Sequence, residues 1–225
     1  MLVKDYMLQH PIMIEPHKRL ADARALLVEN DIYYLPVVGD GKRFLGMITP
    51  PRLAIPPERM ASLDVWEISN YLANLTVEKV MLKARDLPTI GPQATLEEAS
   101  HLMIKTKVGG LPVLEGQIVL GLITDNHLLV ELSNLLGAFE PGWRVTVRIK
   151  GKRGDLLRLI RAVTDRGWTI MALGNVRTPK KPEDWDVVLK VVGCTREELV
   201  DAIAQLEGQV LRDIRETASY AYVKS

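Results

Sequence analysis

The feature that most constrains this chain is that its first part is written twice. Val3-Lys4-Asp5-Tyr6-Met7 returns as Val77-Glu78-Lys79-Val80-Met81, and Ile14-Glu15-Pro16 returns as Ile90-Gly91-Pro92. Leu35-Pro36-Val37-Val38 returns as Leu111-Pro112-Val113-Leu114, and Gly46-Met47-Ile48-Thr49 as Gly121-Leu122-Ile123-Thr124. The order is kept at an offset of about 75 residues, which is the signature of a duplicated structural unit. In each copy an apolar stripe at i, i+3, i+7 (Leu20, Ala23, Leu27; Leu96, Ala99, Met103) predicts a helix with one buried side. Thr95-x-x-Glu98 is a capping box that starts the second of these helices. Two short apolar strands around a glycine turn follow in both copies, a hairpin pattern. A unit this small has too little core to stand alone, so the copies are expected to pack sheet to sheet. Residues 60–75 read as a helical bridge between them, and residues 128–136 as a closing helix stopped by Gly137.

The texture changes after Pro141-Gly142, a turn and domain boundary. Val145, Val147 and Ile149 alternate with Arg144, Thr146 and Arg148, so one side of that strand is buried. A helical stripe follows (Leu156, Leu159, Ile160, Val163), then strands over 169–176 and 185–192 separated by a loop over 178–184. A capped helix from Thr195-x-x-Glu198 and a strand over 209–215 close the region. Strand, helix, strand, strand, helix, strand is the ferredoxin-like βαββαβ order. The fold class is therefore α+β, with repeat one over 1–56, a helical linker over 57–76, repeat two over 77–137, a second domain over 143–217 and a tail over 218–225.

These motifs carry a resemblance. The leading Val-x-x-x-Met, the apolar-Pro-Val strand and the Gly-apolar-apolar-Thr segment, each present twice, resemble the CBS domain. A tandem pair is a Bateman module. The second domain resembles the ACT domain through its topology, Gly154 in the first strand-to-helix loop and Gly167-Trp168-Thr169-Ile170; Lys152 and Arg153 stand where that family often has Asp and Pro. ACT members often pair their sheets and bind amino acids at the joint. The combination resembles the acetoin-utilisation protein B type.

The CBS resemblance implies a regulatory protein that binds an adenine nucleotide (AMP, ADP, ATP) or S-adenosylmethionine in clefts between the repeats. It implies no required cofactor. It also implies a homodimer, and a partner enzyme in acetoin or acetyl-CoA metabolism. The base would lie among Ile14, Pro36, Ile90, Leu111 and Pro112, with Thr49 and Thr124 facing phosphate. Each Thr equally reads as a helix N-cap, before Pro50 and Asp125 respectively. The family places an acid three residues after that Thr to accept both ribose hydroxyls. Here those positions hold Arg52, which accepts no hydrogen bond but can meet a phosphate, and His127, which accepts one. Asp125 directly follows Thr124 and is expected to point elsewhere. Tyr33-Tyr34 and Gly109-Gly110 occupy matching positions; the tyrosines are expected to fill the first cleft and the glycines to leave the second open, so that ligand prefers the Gly110 side. The alternative function is a ligand-free dimerisation scaffold that modulates a partner enzyme.

Other classes are disfavoured. A net charge of +1 offers no field for nucleic acid. One cysteine, Cys194, excludes an internal disulfide and fits the cytoplasm, and the apolar runs are too short to span a membrane. His10, His17, His101 and His127 share no metal-ligand spacing, and no phosphate loop or catalytic motif is present, so an enzyme is not expected. Cys194, just before a helix start, has a position that can lower a thiol pKa.

Overall fold

The computed structural model describes residues 1–53 and 74–218; the side chains of Arg52 and Leu53 lie outside that description. The helical bridge expected over 60–75 falls, as far as residue 73, outside the described residues, as does the tail beyond 218. The chain divides into two compact units, Met1–Leu128 and Leu129–Ser225.

The first unit begins with α1 (Val3–Tyr6), β1 (Leu8–Gln9), α2 (Leu20–Glu29), β2 (Leu35–Gly39) and β3 (Arg43–Ile48). The second copy follows with α3 (Val77–Val80), β4 (Leu82–Lys83), α4 (Leu96–Thr106), β5 (Gly110–Glu115) and β6 (Ile118–Thr124), and α5 (Asp125–Leu135) comes next. The expected stripes face inward: Leu20, Ala23 and Leu27 on α2, and Leu96, Ala99 and Met103 on α4. The Thr95 hydroxyl accepts from the Glu98 N–H (3.2 Å), and the Glu98 carboxylate accepts from the Thr95 N–H (2.7 Å). Two otherwise orphaned donors at the start of α4 are thereby satisfied.

The two copies exchange their leading segments. Strand β1, from the start of copy one, pairs with β6 of copy two (Leu8 with Leu122, Gln9 with Gly121), and β4, from copy two, pairs with β3 of copy one (Leu82 with Met47, Lys83 with Gly46). Val3 is buried in the core formed by Leu96, Ala99, Met103, Leu111, Val113 and Ile123. Val77 and Leu75 are buried with Ile14, Leu20, Leu35 and Ile48. The exchange explains two parts of the repeated motif at once. A Cβ on Gly121 would lie 2.8 Å from the Leu8 carbonyl oxygen and 2.5 Å from Met7 Sδ; one on Gly46 would strike the Leu82 carbonyl and lie 3.1 Å from Met81 Sδ. The Met of each leading segment thus rests on the glycine of the opposite copy, a close approach that no side chain permits.

The second unit holds β7 (Gly142–Ile149), α6 (Asp155–Thr164), β8 (Thr169–Thr178), β9 (Lys181–Val192), α7 (Arg196–Ala204) and β10 (Val210–Thr217). Its antiparallel sheet runs β10-β7-β9-β8. Val145, Val147, Ile149, Val187, Leu189 and Val191 pack with Leu159, Val163, Leu199 and Ile203 of the helices. The segment over 178–184 is not a loop: β8 and β9 extend to Thr178 and from Lys181 around a tight turn. Pro182 is tolerated because β7 reaches only to Trp185 on that side, so no ladder partner on β7 is denied an N–H. Thr195 and Glu198 form their capping box, and those hydrogen bonds, first from the Thr195 backbone and then from its side chain, hold the Glu198 carboxyl below the usual range.

Candidate ligand site

The hairpin ends of the second copy are built around Gly109 and Gly110. Gly110 pairs with Thr124 across β5 and β6, and the Gly109 carbonyl accepts from the Asp125 N–H at 2.8 Å. These contacts place the Thr124–His127 turn directly against the two glycines. His127 Nδ1 lies 3.1 Å from the Thr124 backbone N and 2.7 Å from the Thr124 hydroxyl. A backbone N–H can only donate, so Nδ1 is the acceptor and the proton of the neutral ring sits on Nε2. The acceptor nitrogen expected to meet a ribose hydroxyl is therefore already engaged in closing the turn that starts α5.

The space left by the glycines is occupied. A Cβ on Gly110 would lie 2.8 Å from both Cγ and Cδ2 of Tyr34 and 3.0 Å from its Cδ1. A Cβ on Gly109 would meet the Tyr34 hydroxyl and, at 2.7 Å, Asp125 Oδ2. The Tyr34 ring, contributed by copy one, therefore lies on the glycine backbone of copy two. This corrects the expectation that Gly110 opens the second cleft: a side chain outside the local sequence fills it. Tyr33 does not fill the first cleft, since it is 64% exposed. Asp125 also differs from expectation, because its carboxylate turns back toward Gly109 and Tyr34. Burial, and then the Asp125 charge, push the Tyr34 phenol above its ordinary pKa, while a hydrogen bond from the Gly109 backbone opposes them.

An open cleft lies instead on copy one. It has a volume of about 770 Å³ and is lined by Met13, Ile14, Leu26 and Val38, with Glu15, Lys18 and Asp22 among its polar groups. Ile14 is held there by the β2 backbone: its N–H donates to the Pro36 carbonyl (3.0 Å) and its carbonyl accepts from the Val38 N–H (2.9 Å). Ile90 repeats this with Pro112 and Leu114 (3.1 and 2.9 Å) but is not part of that cleft. Leu111 is corrected as a contact residue: it is wholly buried in the second core, with no surface to offer. Pro36 and Pro112 are likewise buried on their strands. Thr49 is half-buried before the short 3-10 turn Pro50–Leu53; Arg52 belongs to that turn, and its side chain lies outside the described residues. Lys18 and Asp22 were not singled out by the sequence motifs: Lys18 precedes α2 and Asp22 lies in its first turn. Their signal was position, on either side of the α2 start at Leu20 and close to Ile14 in sequence.

Cys194 is half-buried, and burial followed by the Glu198 charge pushes its thiol up, so its place before a helix start does not lower it. Among the described residues, no group of three or more His, Cys, Asp or Glu is placed to hold a metal ion. No helix among them is long and apolar enough to cross a membrane.

Comparison with known proteins places this geometry. The CBS domain family model matches residues 3–53 and 77–134. A CBS domain-containing protein of Dictyostelium discoideum is 32% identical over 143 residues, which cover 62% of this chain and 97% of that protein. The chain belongs to the CBS-domain family. A solved Vibrio cholerae structure assigned to acetoin utilization (AcuB) aligns with its CBS pair at a TM-score of 0.51 and 31% identity, covering 61% of this chain and 93% of that one. The inosine-5'-monophosphate dehydrogenase of Korarchaeum cryptofilum is 30% identical over 145 residues, 64% of this chain but 27% of the enzyme. The chain spans about a quarter of the length of that enzyme and of the other archaeal enzymes it matches.

Proposed function

We propose that this CBS pair is the sensing part of a regulatory protein that takes an adenosyl ligand of the AMP, ADP, ATP or S-adenosylmethionine class. The observation that carries this reading is the open cleft beside α2. Its volume lies within the range of small-molecule sites, and its make-up, an apolar floor with a few polar groups, is what such sites use. Met13, Ile14 and Val38 offer the floor for a base, the Glu15 and Asp22 carboxylates can accept from ribose hydroxyls, and the Lys18 ammonium can meet a phosphate. Regulation requires that ligand bind two arrangements of the pair unequally, the difference being passed to a partner. The likeness to the AcuB structure supports a metabolic enzyme of acetoin or acetyl-CoA metabolism as that partner, with the chain acting as a homodimer.

The test is calorimetric titration of the full chain with AMP, ADP, ATP and S-adenosylmethionine. Micromolar binding is expected. Lys18→Ala should weaken ATP binding about tenfold, the scale of a hydrogen bond to a charged group. Saturating ligand at ~100 Kd should stabilise the fold by about 2.7 kcal/mol, visible as a raised melting temperature. Absence of both heat and thermal shift overturns the reading and leaves the scaffold alternative, which the Tyr34 packing and the engaged His127 nitrogen favour.

A further inference from the structure

The face of the second sheet away from α6 and α7 carries an unmatched row of cations. Val145, Val147, Leu189 and Val191 point into the core, so the alternate residues of β7 and β9 share the opposite face. There Lys190 stands directly opposite Arg144, and Arg144 directly opposite Arg215. Three cations thus lie side by side across β9, β7 and β10, which costs stability because like charges directly opposite repel. Elsewhere on the same face the charges are matched: Arg148 stands opposite Asp186 and donates two hydrogen bonds to it, at 2.8 and 3.0 Å. In the row of three, Asp213 serves two arginines at once, 3.4 Å from Arg144 and 2.9 Å from Arg215. Lys190 is buried, and its Nζ donates to the Thr217 hydroxyl, which donates on to the Gly142 carbonyl at 2.9 Å. Gly137 covers its stem: an added Cβ there would stand 3.3 Å from Lys190 Cβ and Cγ. Burial, and then the Arg144 charge, push the Lys190 ammonium below its ordinary pKa, while the exposed Glu140 carboxylate opposes them.

We infer that this row is a binding site for a dianionic phosphate group, held by the Arg144 and Arg215 guanidiniums beside the buried Lys190 charge. Three cations against the Asp213 carboxylate leave two positive charges in excess. A phosphate monoester, at about −1.5 to −2, balances that excess, and a single carboxylate does not. Neighbouring strands stand ~4.8 Å apart, so guanidiniums rooted on β7 and β10 can each meet a different oxygen of one phosphate. Arg144 has donors to give. Its contacts to Asp213 and Thr146 are both 3.4 Å, long beside the ~2.7–2.9 Å of a charge-assisted hydrogen bond. The Arg144 and Arg215 side chains are 40% and 72% exposed, so an ion can reach them, while Lys190 acts through its charge rather than by contact. The inference is independent of which ligand the first unit takes.

Nuclear magnetic resonance titration of the full chain with inorganic phosphate and with glycerol phosphate tests it, with sodium chloride at matched ionic strength as the reference. Saturable shifts of the Arg144, Lys190 and Arg215 amides are expected with phosphate, beyond those that chloride produces. Arg144→Gln and Arg215→Gln should each weaken binding about tenfold, the scale of a lost hydrogen bond to a charged group. Arg196→Gln, which removes the same charge from an exposed side chain on α7, should leave binding unchanged. Bound phosphate should also raise the Lys190 pKa toward the ordinary lysine value, since a neighbouring anion favours the charged form. Tighter binding of the ester assigns the site to a phosphate ester, and tighter binding of the free ion assigns it to inorganic phosphate. Shifts that do not saturate, that chloride reproduces, or that persist unchanged in both arginine variants overturn the inference.

Discussion

The contact between Tyr34 and Gly110 can be measured as a coupling energy. Gly110 has no left-handed backbone, so Ala is allowed there on conformational grounds, and the three atoms nearest the new methyl all belong to the Tyr34 ring. Ring carbons at 2.8, 2.8 and 3.0 Å are well inside the ~3.5–4.0 Å at which carbon pairs attract. The ring must retreat, and overpacking of this kind costs roughly 1–3 kcal/mol. With Tyr34 truncated to Ala the obstruction is gone. Gly110→Ala should then stabilise by about 0.5–1 kcal/mol, the ordinary gain of Ala over Gly inside a strand. The double-mutant cycle should therefore return a coupling of roughly 1.5–4 kcal/mol, well above the ~0.3–0.5 kcal/mol expected of independent sites. Urea unfolding followed by circular dichroism supplies the four stabilities, with the transition of the second unit as an internal reference. Equal costs of Gly110→Ala in the two backgrounds would refute the placement of the ring.

The remaining expectations concern other links in the same unit and its neighbour. Val77→Ala removes buried methyls from the core of copy one although it lies in the sequence of copy two, and should cost about 2 kcal/mol; hydrogen exchange should quicken in α2 before α4. The raised Tyr34 pKa means that its contribution to stability is fully present below the unfolded value of about 10 and is lost as pH rises through the higher folded value. Ultraviolet titration should show one phenol ionising late, and Tyr34→Phe should remove that component. Asp186 accepts two hydrogen bonds from Arg148 (2.8 and 3.0 Å), which lead the causes holding its carboxyl below the usual range. Its stabilisation is present above the unfolded value of about 3.9 and disappears as pH falls through the lower folded value. In Arg148→Lys, which cannot keep the two-pronged contact, NMR titration should find the Asp186 pKa closer to that ordinary value.

Most of the fold was legible because its signals are local. The helical stripes and both Thr-x-x-Glu capping boxes each lie within about a dozen residues of sequence, and the βαββαβ order is read from such short segments one after another. The exchange of leading segments was not legible, since nothing in Val3 or Val77 says which of two similar cores it enters. Chain connection suggests the nearer core, and the structure chooses the farther. The hairpin over 178–184 was misread because two prolines and two lysines look like a loop, whereas the strands simply outrun their neighbour β7. At the site, the motif positions were found but their occupancy was not. Tyr34 and Gly110 are 76 residues apart, and no periodicity connects a ring in one repeat to a missing side chain in the other.

The exchange also bears on where the two copies can differ. Each core is completed by a segment of the opposite copy, so a change of shape in one must be matched in the other, and the apolar stripes remain alike (Leu20, Ala23, Leu27 against Leu96, Ala99, Met103). The copies diverge in sequence elsewhere: Tyr33-Tyr34 against Gly109-Gly110, and Arg52 against His127. The divergence is nevertheless complementary across the pair, since the bulk added at Tyr34 occupies the volume given up at Gly110. A symmetric pair would present two equivalent clefts. Here a side chain of the first copy lies on the glycines of the second, while an open cleft beside α2 is lined by residues of the first copy. The Tyr34 ring lying on the Gly109-Gly110 backbone ties the two copies together without ligand.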